Sequence, residues 1–412
     1  MRTIVIGAGP AGMNAAIHAA SENNEVIIIE KNEKAGKKLF ITGKGRCNVT
    51  NNCSEREFIN HVVSNPKFLF SAIHRFSSKH TMEFFESRGV PLVTERGNRV
   101  FPKSYHAYDI TDGLVKECRR LHVRFEFNTN VLSIQPSESS FVVRTDKGDF
   151  SADAVVVATG GLSYPSTGST GDGYRFAKRF NHTILPTSPA LTGIRIKESI
   201  PRNLHGFALK NVAFSVKGDK FKHSEFGEMT FYDNYLDGPI TITTSSFITH
   251  LDPSGLQTEI DFKPALNEEV LMDRIARDVN HNPNGTVEDL LRGLLPAPMI
   301  QFFKENTDID YRKECHYFSK KERLELIHSL KHFSLTFDGL MGYERAIVTS
   351  GGVSTKEIDS KTMESKIMPN LYFVGEVLDV DALTGGFNIQ IALSTGASAG
   401  DAILEKAKAS LR

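Results

Sequence analysis

The chain opens with two largely apolar runs separated by a stretch of helix formers. Residues 3–6 and 26–29 form the apolar runs, and residues 11–21 between them are rich in alanine. Runs that are apolar on both faces are typical of parallel strands covered by helices. The pattern therefore predicts a β-α-β unit at the start of the chain.

Further along, the pattern changes twice. Residues 191–262 alternate polar and apolar positions with Gly, Pro and Asp breaks, which predicts a small antiparallel sheet or barrel. Residues 267–330 have helical spacing, and buried-strand runs then return before a final helix. These changes predict a discontinuous α/β domain formed by residues 1–190 and 335–412, with residues 191–334 inserted into it.

A glycine-rich motif follows the first apolar run. Residues 7–12 read GAGPAG, a G-x-G-x-x-G pattern that opens the predicted helix. The first glycine permits a tight turn, the second lets a pyrophosphate approach the backbone, and the third lets the helix pack on the strand. Glu30 ends the second run, where a carboxylate accepts hydrogen bonds from a ribose diol and repels a 2′-phosphate. The motif therefore predicts a dinucleotide site that does not take NADP.

A second glycine-rich segment, residues 36–48, carries several cations. Clustered glycines let the backbone approach a ligand closely, and Lys37, Lys38, Lys44 and Arg46 could offset pyrophosphate charge. The segment is equally compatible with a flexible, solvated loop, because lysine-rich loops are common. Both interpretations stay open on the spacing alone.

Two more segments run from an apolar strand into small residues. Residues 155–161 read VVVATGG, and residues 371–390 hold a strand, a glycine-rich loop and the start of a helix. Ligands of doubly wound sheets lie beyond the carboxyl ends of the strands, and a helix N-terminus stabilises negative charge on a reduced cofactor. A cofactor that contacts both ends of the chain must be long, which favours FAD over NAD.

Composition narrows the class of protein. The chain has 49 Lys and Arg and 49 Asp and Glu, and this zero net charge predicts no nucleic-acid partner. The sequence has no apolar run long enough for a membrane span and no secretory signal at its start, so we expect a cytoplasmic protein that does not bind membranes. Four cysteines form no C-x-x-C pair and are expected to be reduced thiols, and the fourteen histidines show no metal-ligand spacing.

Longer strings identify a family resemblance. GAGPAG, ATGG and GGFN together resemble the glutathione-reductase-type FAD fold. TGKGRCNVTN (42–51), TGSTGDGY (167–174), AIVTSGGV (346–353) and the C-terminal string 362–400 resemble the BaiN/YhiN-like NAD(P)/FAD-dependent oxidoreductases, which include the aminoacetone oxidase group. The resemblance covers essentially the whole chain. It implies a discontinuous Rossmann-like FAD-binding domain, an inserted antiparallel β-barrel-like domain at 191–265 and a small helical insert at 266–334.

The resemblance also implies which residues contact a noncovalently bound FAD. Val131 would contact the adenine through its backbone. The other implied flavin neighbours are Gly7, Gly9, Pro10, Ala11, Gly12, Glu30, Lys31, Lys38, Gly43, Gly45, Arg46, Cys47, Asn48, Ala158, Thr159, Gly160, Gly375, Glu376, Gly386, Asn388 and Ile389. We interpret Cys47 as a packing residue rather than a redox thiol, since it has no cysteine partner in sequence.

The chain departs from the family pattern at two places. Residues 231–239 lack the histidine and serine of an FTHxGxSGP-like string, and Ala382 stands where the family has glycine. The identity of the substrate therefore does not transfer, and neither a catalytic residue nor an oligomeric state is predicted.

Three functions remain open from the sequence. The first is an oxidase that converts a small primary amine, such as aminoacetone, with oxygen as acceptor and peroxide as product. The second is a reductase or dehydrogenase of an enone or steroid-like substrate that uses NAD(P)H. The third is a flavin-containing binding protein with little turnover. A single dinucleotide fingerprint argues against a stable NAD(P) domain, so any contact with NAD(P)H is expected to be transient.

Overall fold

The computed structural model describes residues 1–138 and 140–410, without the side chain of Lys44. These residues form two compact units. Unit 1 comprises Met1–Ala190 and the C-terminal segment from Tyr343, and unit 2 comprises Leu191–Gly342.

The strands of the described residues are, in chain order, β1 (Arg2–Ile6), β2 (Glu25–Ile29), β3 (Thr50–Asn51), β4 (Leu92–Glu95), β5 (Arg99–Pro102), β6 (Arg124–Glu126), β7 (Val131–Ser137), β8 (Ser140–Thr145), β9 (Gly148–Ala152), β10 (Ala154–Val157), β11 (Ile184–Ala190), β12 (Ile194–Ile196), β13 (Ala208–Gly218), β14 (Phe221–Phe231), β15 (Tyr235–Asp237), β16 (Gln257–Asp261), β17 (Phe333–Leu335), β18 (Phe337–Leu340), β19 (Val348–Val353) and β20 (Leu371–Phe373). The α-helices are α1 (Pro10–Ala19), α2 (Glu55–Asn60), α3 (Phe70–Arg75), α4 (Ser78–Glu86), α5 (Ala107–Arg120), α6 (Asp172–Arg179), α7 (Pro239–Ile248), α8 (Glu268–His281), α9 (Val287–Leu294), α10 (Ala297–Glu305), α11 (Lys320–Lys331) and α12 (Phe387–Ala409).

The centre of unit 1 is a parallel five-stranded sheet in the order β20-β10-β1-β2-β6. The apolar runs of the sequence form its middle strands, and Ile4, Val5 and Val156 are fully buried there. Strand β2, the next strand in the chain, pairs with one side of β1, and β10 pairs with the opposite side. This change of direction creates the crevice beyond the carboxyl ends of β1 and β10 where doubly wound folds bind their ligands.

Unit 1 carries three smaller antiparallel sheets. Strands β7, β8 and β9 form a meander, β11 pairs with β19, and β3, β5 and β4 form a sheet in that order. Helix α12 packs along α1, so the last helix of the chain covers the first β-α-β unit.

Unit 2 contains one antiparallel sheet in the order β17-β16-β13-β14-β15-β12-β18. Its two edge strands, β17 and β18, are separated in the chain by Thr336 alone. One residue spans only a few ångströms, so the two edges must lie next to each other and the sheet must curl like a barrel. The predicted fold class, a Rossmann-like parallel domain with an inserted antiparallel barrel-like domain, is confirmed.

The structure places one domain boundary differently from the sequence prediction. We predicted that the α/β domain resumes at residue 335, but β17 and β18 both pair within the sheet of unit 2. The run Phe333 to Phe337 looked like a buried strand, whereas its period is two, with Phe333, Leu335 and Phe337 buried. Both predicted inserts, 191–265 and 266–334, fall in unit 2, and their separation into two domains stays a prediction.

Neither a membrane-crossing helix nor a cluster of metal-binding side chains is present among the described residues. No helix among them has the length and apolar character that a membrane crossing requires. No group of three or more His, Cys, Asp or Glu side chains in this part of the chain could hold a metal ion.

A buried histidine gives unit 1 a predicted pH dependence. The side chain of His182 is fully buried between Glu357 and Ser365. Burial, the largest effect, lowers the pKa of His182 below its ordinary value of 6.5, although Glu357 opposes that change. Near and below pH 6.5, His182 therefore takes up a proton more readily in the unfolded chain than in the folded chain. We expect the free energy of unfolding to fall as the pH drops from 7.5 to 5.5.

Thermal unfolding at several pH values would check this expectation. The His182→Gln variant should lose much of the decline, because glutamine takes up no proton. The control is His74→Gln, whose histidine side chain is 83% exposed and should leave the profile unchanged. An equal pH profile in all three proteins would contradict the assignment.

Candidate functional site

The carboxyl ends of the central strands bring the predicted segments to one edge of the sheet. The amide of Ala158 donates to the carbonyl of Ile6 at 2.9 Å, and the amide of Val374 donates to the carbonyl of Val157 at 3.1 Å. The loops after β1, β10 and β20 therefore start side by side. These are the GAGPAG, ATGG and GE segments of the sequence.

Two glycines of the GAGPAG loop are required by the fold itself. Gly7 has a φ of 106°, and a Cβ there would lie 2.5 Å from the carbonyl oxygen of Ala158. A Cβ at Gly12 would lie 2.0 Å from the carbonyl oxygen of Gly7. These two glycines let the strand, the turn and the helix approach one another, as the motif predicts.

Gly9 is different, because open space faces it. Apart from Gly9 and its two chain neighbours, no described residue has an atom within 4 Å of the position that a Cβ would take at Gly9. Gly9 is the N-cap of α1, no side chain caps this helix end, and Pro10 follows at its first position. Free backbone amides and the helix dipole thus face a space where a phosphate could sit.

Glu30 lies next to this loop with both carboxylate oxygens engaged. Oε2 accepts from the amide of Ala8 at 2.8 Å, and Oε1 accepts from the amide and side chain of Asn32 at 2.8 and 2.7 Å. Since a carboxylate has about four acceptor positions, Glu30 retains capacity for a further donor. Its anchoring fixes it at the end of β2, where the motif predicts a ribose.

A polar cluster links three segments that are distant in the chain. The ammonium group of Lys38 donates to Ser163 at 2.5 Å and to Glu376 at 2.7 Å. Glu376 also accepts from the Ser163 hydroxyl at 2.5 Å and from the amide of Thr349 at 2.9 Å. The structure therefore brings the predicted residues Lys38 and Glu376 together. Ser163 and Thr349 were not predicted, and the only sequence signal for Thr349 was its place in the AIVTSGGV string.

Helices α1 and α12 run in parallel at close range. A Cβ at Gly396 would lie 2.4 Å from the carbonyl oxygen of Ala11, and a Cβ at Gly400 would lie 2.5 Å from that of Ala15. Gly396 lies nine residues after the start of α12 at Phe387, whereas Ala11 lies one residue after the start of α1 at Pro10, so the N-terminus of α12 extends about 12 Å beyond that of α1 at 1.5 Å per residue. Two helix N-termini are thus spaced along one line, as an extended cofactor requires.

The first turn of α12 is fixed by close packing and a buried polar network. Gly386 is its N-cap with a φ of 97°, and a Cβ there would lie 2.4 Å from the carbonyl oxygen of Thr50. The carbonyl oxygen of the Gln390 side chain accepts from Thr50 and Thr81 at 2.6 and 2.8 Å. Gln390, another residue that was not predicted, anchors the turn that carries Gly386, Asn388 and Ile389.

Most of the predicted cationic segment forms a 3₁₀ helix, Leu39–Gly45, and the chain then turns sharply. Cys47 at this turn is fully buried, and burial raises the pKa of its thiol to about 12. The thiol therefore stays protonated at neutral pH, which agrees with packing rather than redox chemistry. The side chain of Lys44 lies outside the described residues.

Asn48 carries an orphaned acceptor. Its Oδ1 atom is buried and has no hydrogen-bond partner among the described residues. A buried acceptor without a donor costs free energy, so a bound donor would satisfy it. Asn48 is one of the implied flavin neighbours.

Several predicted residues have protein partners instead of facing open space. Lys31 donates to Thr170 and Asp172, Asn388 exchanges two hydrogen bonds with the backbone of Ala382, and the carbonyl of Val131 lies 3.5 Å from the Arg175 guanidinium.

Arg46 also has protein neighbours. Its guanidinium lies 4.6 Å from the ring centre of Phe101 and 3.4 Å from Glu95. Its role in offsetting pyrophosphate charge stays a prediction.

These features fit an FAD molecule. The open space at Gly9 suits its pyrophosphate, the anchored Glu30 suits its ribose, and the extended helix pair suits its length. At the far end of the cofactor, the orphaned Asn48 acceptor could accept a hydrogen bond, and the N-terminus of α12 could stabilise negative charge. The individual contacts of the predicted residues with FAD stay predictions.

A substitution at Asn48 tests the orphaned acceptor. In Asn48→Leu the buried acceptor is gone, so we expect the apoprotein to be at least as stable as the wild type. The Kd for FAD should rise about tenfold, because one hydrogen bond worth roughly 1.4 kcal/mol is lost. FAD titration by fluorescence quenching and thermal unfolding of the apoprotein measure both effects, and an unchanged Kd would show that Oδ1 does not contact FAD.

Comparison with known proteins places this geometry in a family. The HI0933-like protein Rossmann domain model matches residues 1–402. The chain is 30% identical over 406 residues to a 3-dehydro-bile acid delta(4,6)-reductase of Clostridium scindens, covering 98% of both chains. It is also 30% identical over 409 residues to a ribosomal RNA dihydrouridine synthase of Escherichia coli, again covering 98% of both.

Solved structures show the same fold at lower identity. A 3-ketosteroid-delta4-(5alpha)-dehydrogenase of Rhodococcus jostii matches with a TM-score of 0.52 at 14% identity, covering 98% of this chain and 96% of that one. A flavocytochrome c3 fumarate reductase matches with a TM-score of 0.52 at 17% identity, covering 98% and 78%. The predicted family resemblance is confirmed. The chain belongs to the HI0933-like Rossmann-domain family of FAD-dependent oxidoreductases.

Proposed function

We propose that this protein reduces a carbon–carbon double bond conjugated to a carbonyl group, with NAD(P)H as the electron donor. The observation that carries the proposal is the full-length identity of 30% to two relatives with such activities in their names. A 3-dehydro-bile acid with 4,6 double bonds is a conjugated enone. The ring double bond of uridine, which is saturated in dihydrouridine, is also conjugated to a carbonyl.

The overall reaction balances with one hydride and one proton. The double bond gains the hydride at the carbon β to the carbonyl and the proton at the α carbon, while NAD(P)H becomes NAD(P)⁺. Bound FAD supplies the hydride chemistry, and the protein supplies binding, orientation and electrostatics. Reduction through a conjugated carbonyl places developing negative charge on its oxygen, which nearby hydrogen-bond donors stabilise.

The residues of unit 1 serve this reaction by holding the cofactor. The N-terminus of α1 at Gly9 would bind the pyrophosphate, and Glu30 would accept from the ribose. The Lys38–Ser163–Glu376 cluster ties three cofactor loops together, so each loop is held in place by the other two. The N-terminus of α12 would stabilise negative charge at the far end of the cofactor.

Amine oxidation is the other activity that the sequence left open. It needs the opposite direction of electron flow, with electrons leaving the substrate for oxygen. The two full-length relatives are named for reductions, which favours the reductase for this chain. Oxidation of aminoacetone stays a prediction that the same experiment can test.

The experiment is an anaerobic absorption titration of the purified, flavin-containing protein. NADH or NADPH should bleach the flavin band near ~450 nm. A 3-oxo-4-ene steroid should then restore the band without oxygen, whereas its analogue that lacks the double bond should not. Bleaching by aminoacetone, with recovery in air alone, would contradict the reductase and support the oxidase.

A further inference from the structure

The β4–β5 hairpin of unit 1 presents a cluster of exposed cations. We define the basic hairpin surface as Arg46, Arg96, Arg99, Lys103 and Tyr105. Arg96 lies at the hairpin tip, Arg99 begins β5, and Lys103 follows its end. The side chains of Arg46 and Arg99 are 42% and 44% exposed, and Tyr105 is 39% exposed.

The charge of this surface is not balanced locally. The surface has four cations, whereas one carboxylate, Glu95, lies in the hairpin itself and a second, Asp109, follows it and accepts from Ser104. Glu95 pairs with both Arg46 and Arg99, at 3.4 and 3.6 Å. In the described part of the chain, neither Arg96 nor Lys103 has a carboxylate within ion-pair distance. The surface is therefore positive although the whole chain is neutral.

Aromatic rings support the arginines of this surface. The Arg46 guanidinium lies 4.6 Å from the ring centre of Phe101 and 5.6 Å from that of Tyr105. The Arg99 guanidinium lies 5.9 Å from the Phe101 ring centre. Guanidinium planes and tyrosine rings held this way are the groups on which unpaired nucleobases stack.

The hairpin is joined directly to the cofactor site. The side chain of Asn51 donates to the carbonyl of Gly97 at the hairpin tip and to that of Gly385 before α12, at 3.0 and 3.1 Å. A Cβ at Gly43 would lie 3.7 Å from the Phe101 ring, so the 3₁₀ helix of the cofactor loop contacts the same hairpin. A polymer bound on the hairpin would thus lie next to the N-terminus of α12.

We propose that the basic hairpin surface binds the phosphate backbone of a single-stranded or looped RNA whose uridine is reduced at the neighbouring site. The inference rests on the proposed function and on its uridine form in particular. Enzymes that act on a base must take it out of the stack, and this requires the flanking phosphates to be held. Arg96 and Lys103 lie beyond opposite ends of β5, whose four residues span about 13 Å at 3.3 Å per residue, so the two cations can contact different phosphates of one strand.

Fluorescence anisotropy with the flavin-containing protein tests the proposal. The probe is a fluorescein-labelled, uridine-rich RNA of about 20 nucleotides, long enough to cover a typical single-strand site. In Arg96→Gln/Lys103→Gln we expect about tenfold weaker binding, and a slope of log K against log salt that is smaller by about 1.4. The matched control is Lys178→Gln/Arg179→Gln in α6, two exposed cations of unit 1 that should leave both values unchanged.

Three outcomes would overturn the proposal. The first is no RNA binding by the wild-type protein, and the second is equal binding by both variants. The third is unchanged RNA binding with slower bleaching of the hairpin variant by NADPH, which would make the surface a nicotinamide-dinucleotide site. Reoxidation by the steroid enone requires no RNA, so failure of the surface leaves the reductase proposal standing and the two failures are distinguishable.

Discussion

The Gly9→Val variant is expected to fold like the wild type and to purify without flavin. The valine side chain finds open space, because no described residue apart from Gly9 and its two chain neighbours has an atom within 4 Å of the Cβ position. We expect the pyrophosphate to approach the backbone in that same space, at the N-terminus of α1. We expect a loss of FAD affinity of at least about a hundredfold, since filling this space removes the contacts of both phosphates.

The contrast with other glycines makes the test specific. Gly293→Val introduces the same side chain into similarly open space in unit 2, and it should keep a full complement of FAD. Gly12→Val should instead disturb the fold, because its Cβ would lie 2.0 Å from the carbonyl oxygen of Gly7. Absorbance per mole of protein and circular dichroism separate the three outcomes. A yellow, folded Gly9→Val protein would show that the phosphate does not approach the backbone there.

The parallel sheet and the glycine-rich turn after β1 were predictable because their signals are local. The apolar runs, the glycine spacing and Glu30 all lie within the first thirty residues, and one β-α-β unit explains them together. The fold class followed from changes in periodicity over long stretches of sequence. The boundary at residue 335 was misplaced because a five-residue run cannot distinguish a strand buried on both faces from one with period two.

The contacts that assemble the site were not predictable, since they join residues far apart in sequence. Lys38 and Glu376 are 338 positions apart, and Asn51 and Gly385 are 334 positions apart. Only the fold brings such residues together, so the spacing of residues along the chain cannot predict these contacts. Arg46 is a further example, because its place in a glycine-rich loop gave no sign that Glu95 and Phe101 would lie beside it.

The net charge of the chain also gives no information about how charges are distributed over its surface. Equal numbers of acidic and basic residues led us to expect no nucleic-acid partner. Affinity for a phosphate backbone depends on how cations cluster on one face, and the basic hairpin surface is such a cluster. A sum over 412 residues cannot report a local excess on one hairpin.

The Gly396→Val variant is expected to destabilise unit 1 strongly and to release FAD as a consequence. Its Cβ would lie 2.4 Å from the carbonyl oxygen of Ala11, a backbone atom that cannot move without displacing α1. Helix propensity alone would favour valine over glycine by a few tenths of a kcal/mol, so any destabilisation must come from packing. We expect a loss of about 3 kcal/mol, the upper end of the usual cost of overpacking.

Thermal unfolding of unit 1, followed through flavin fluorescence, measures this effect. A loss of about 3 kcal/mol corresponds to a melting temperature lower by roughly 6–12 °C in a domain of this size. The control Gly293→Val has the same change in helix propensity without a clash, and it should melt at or slightly above the wild-type temperature. Because we expect the N-terminus of α12 to lie at the far end of the cofactor, the displaced helix should also weaken FAD binding. Equal melting temperatures for Gly396→Val and Gly293→Val would mean that α1 and α12 do not pack as closely as Gly396 and Gly400 indicate.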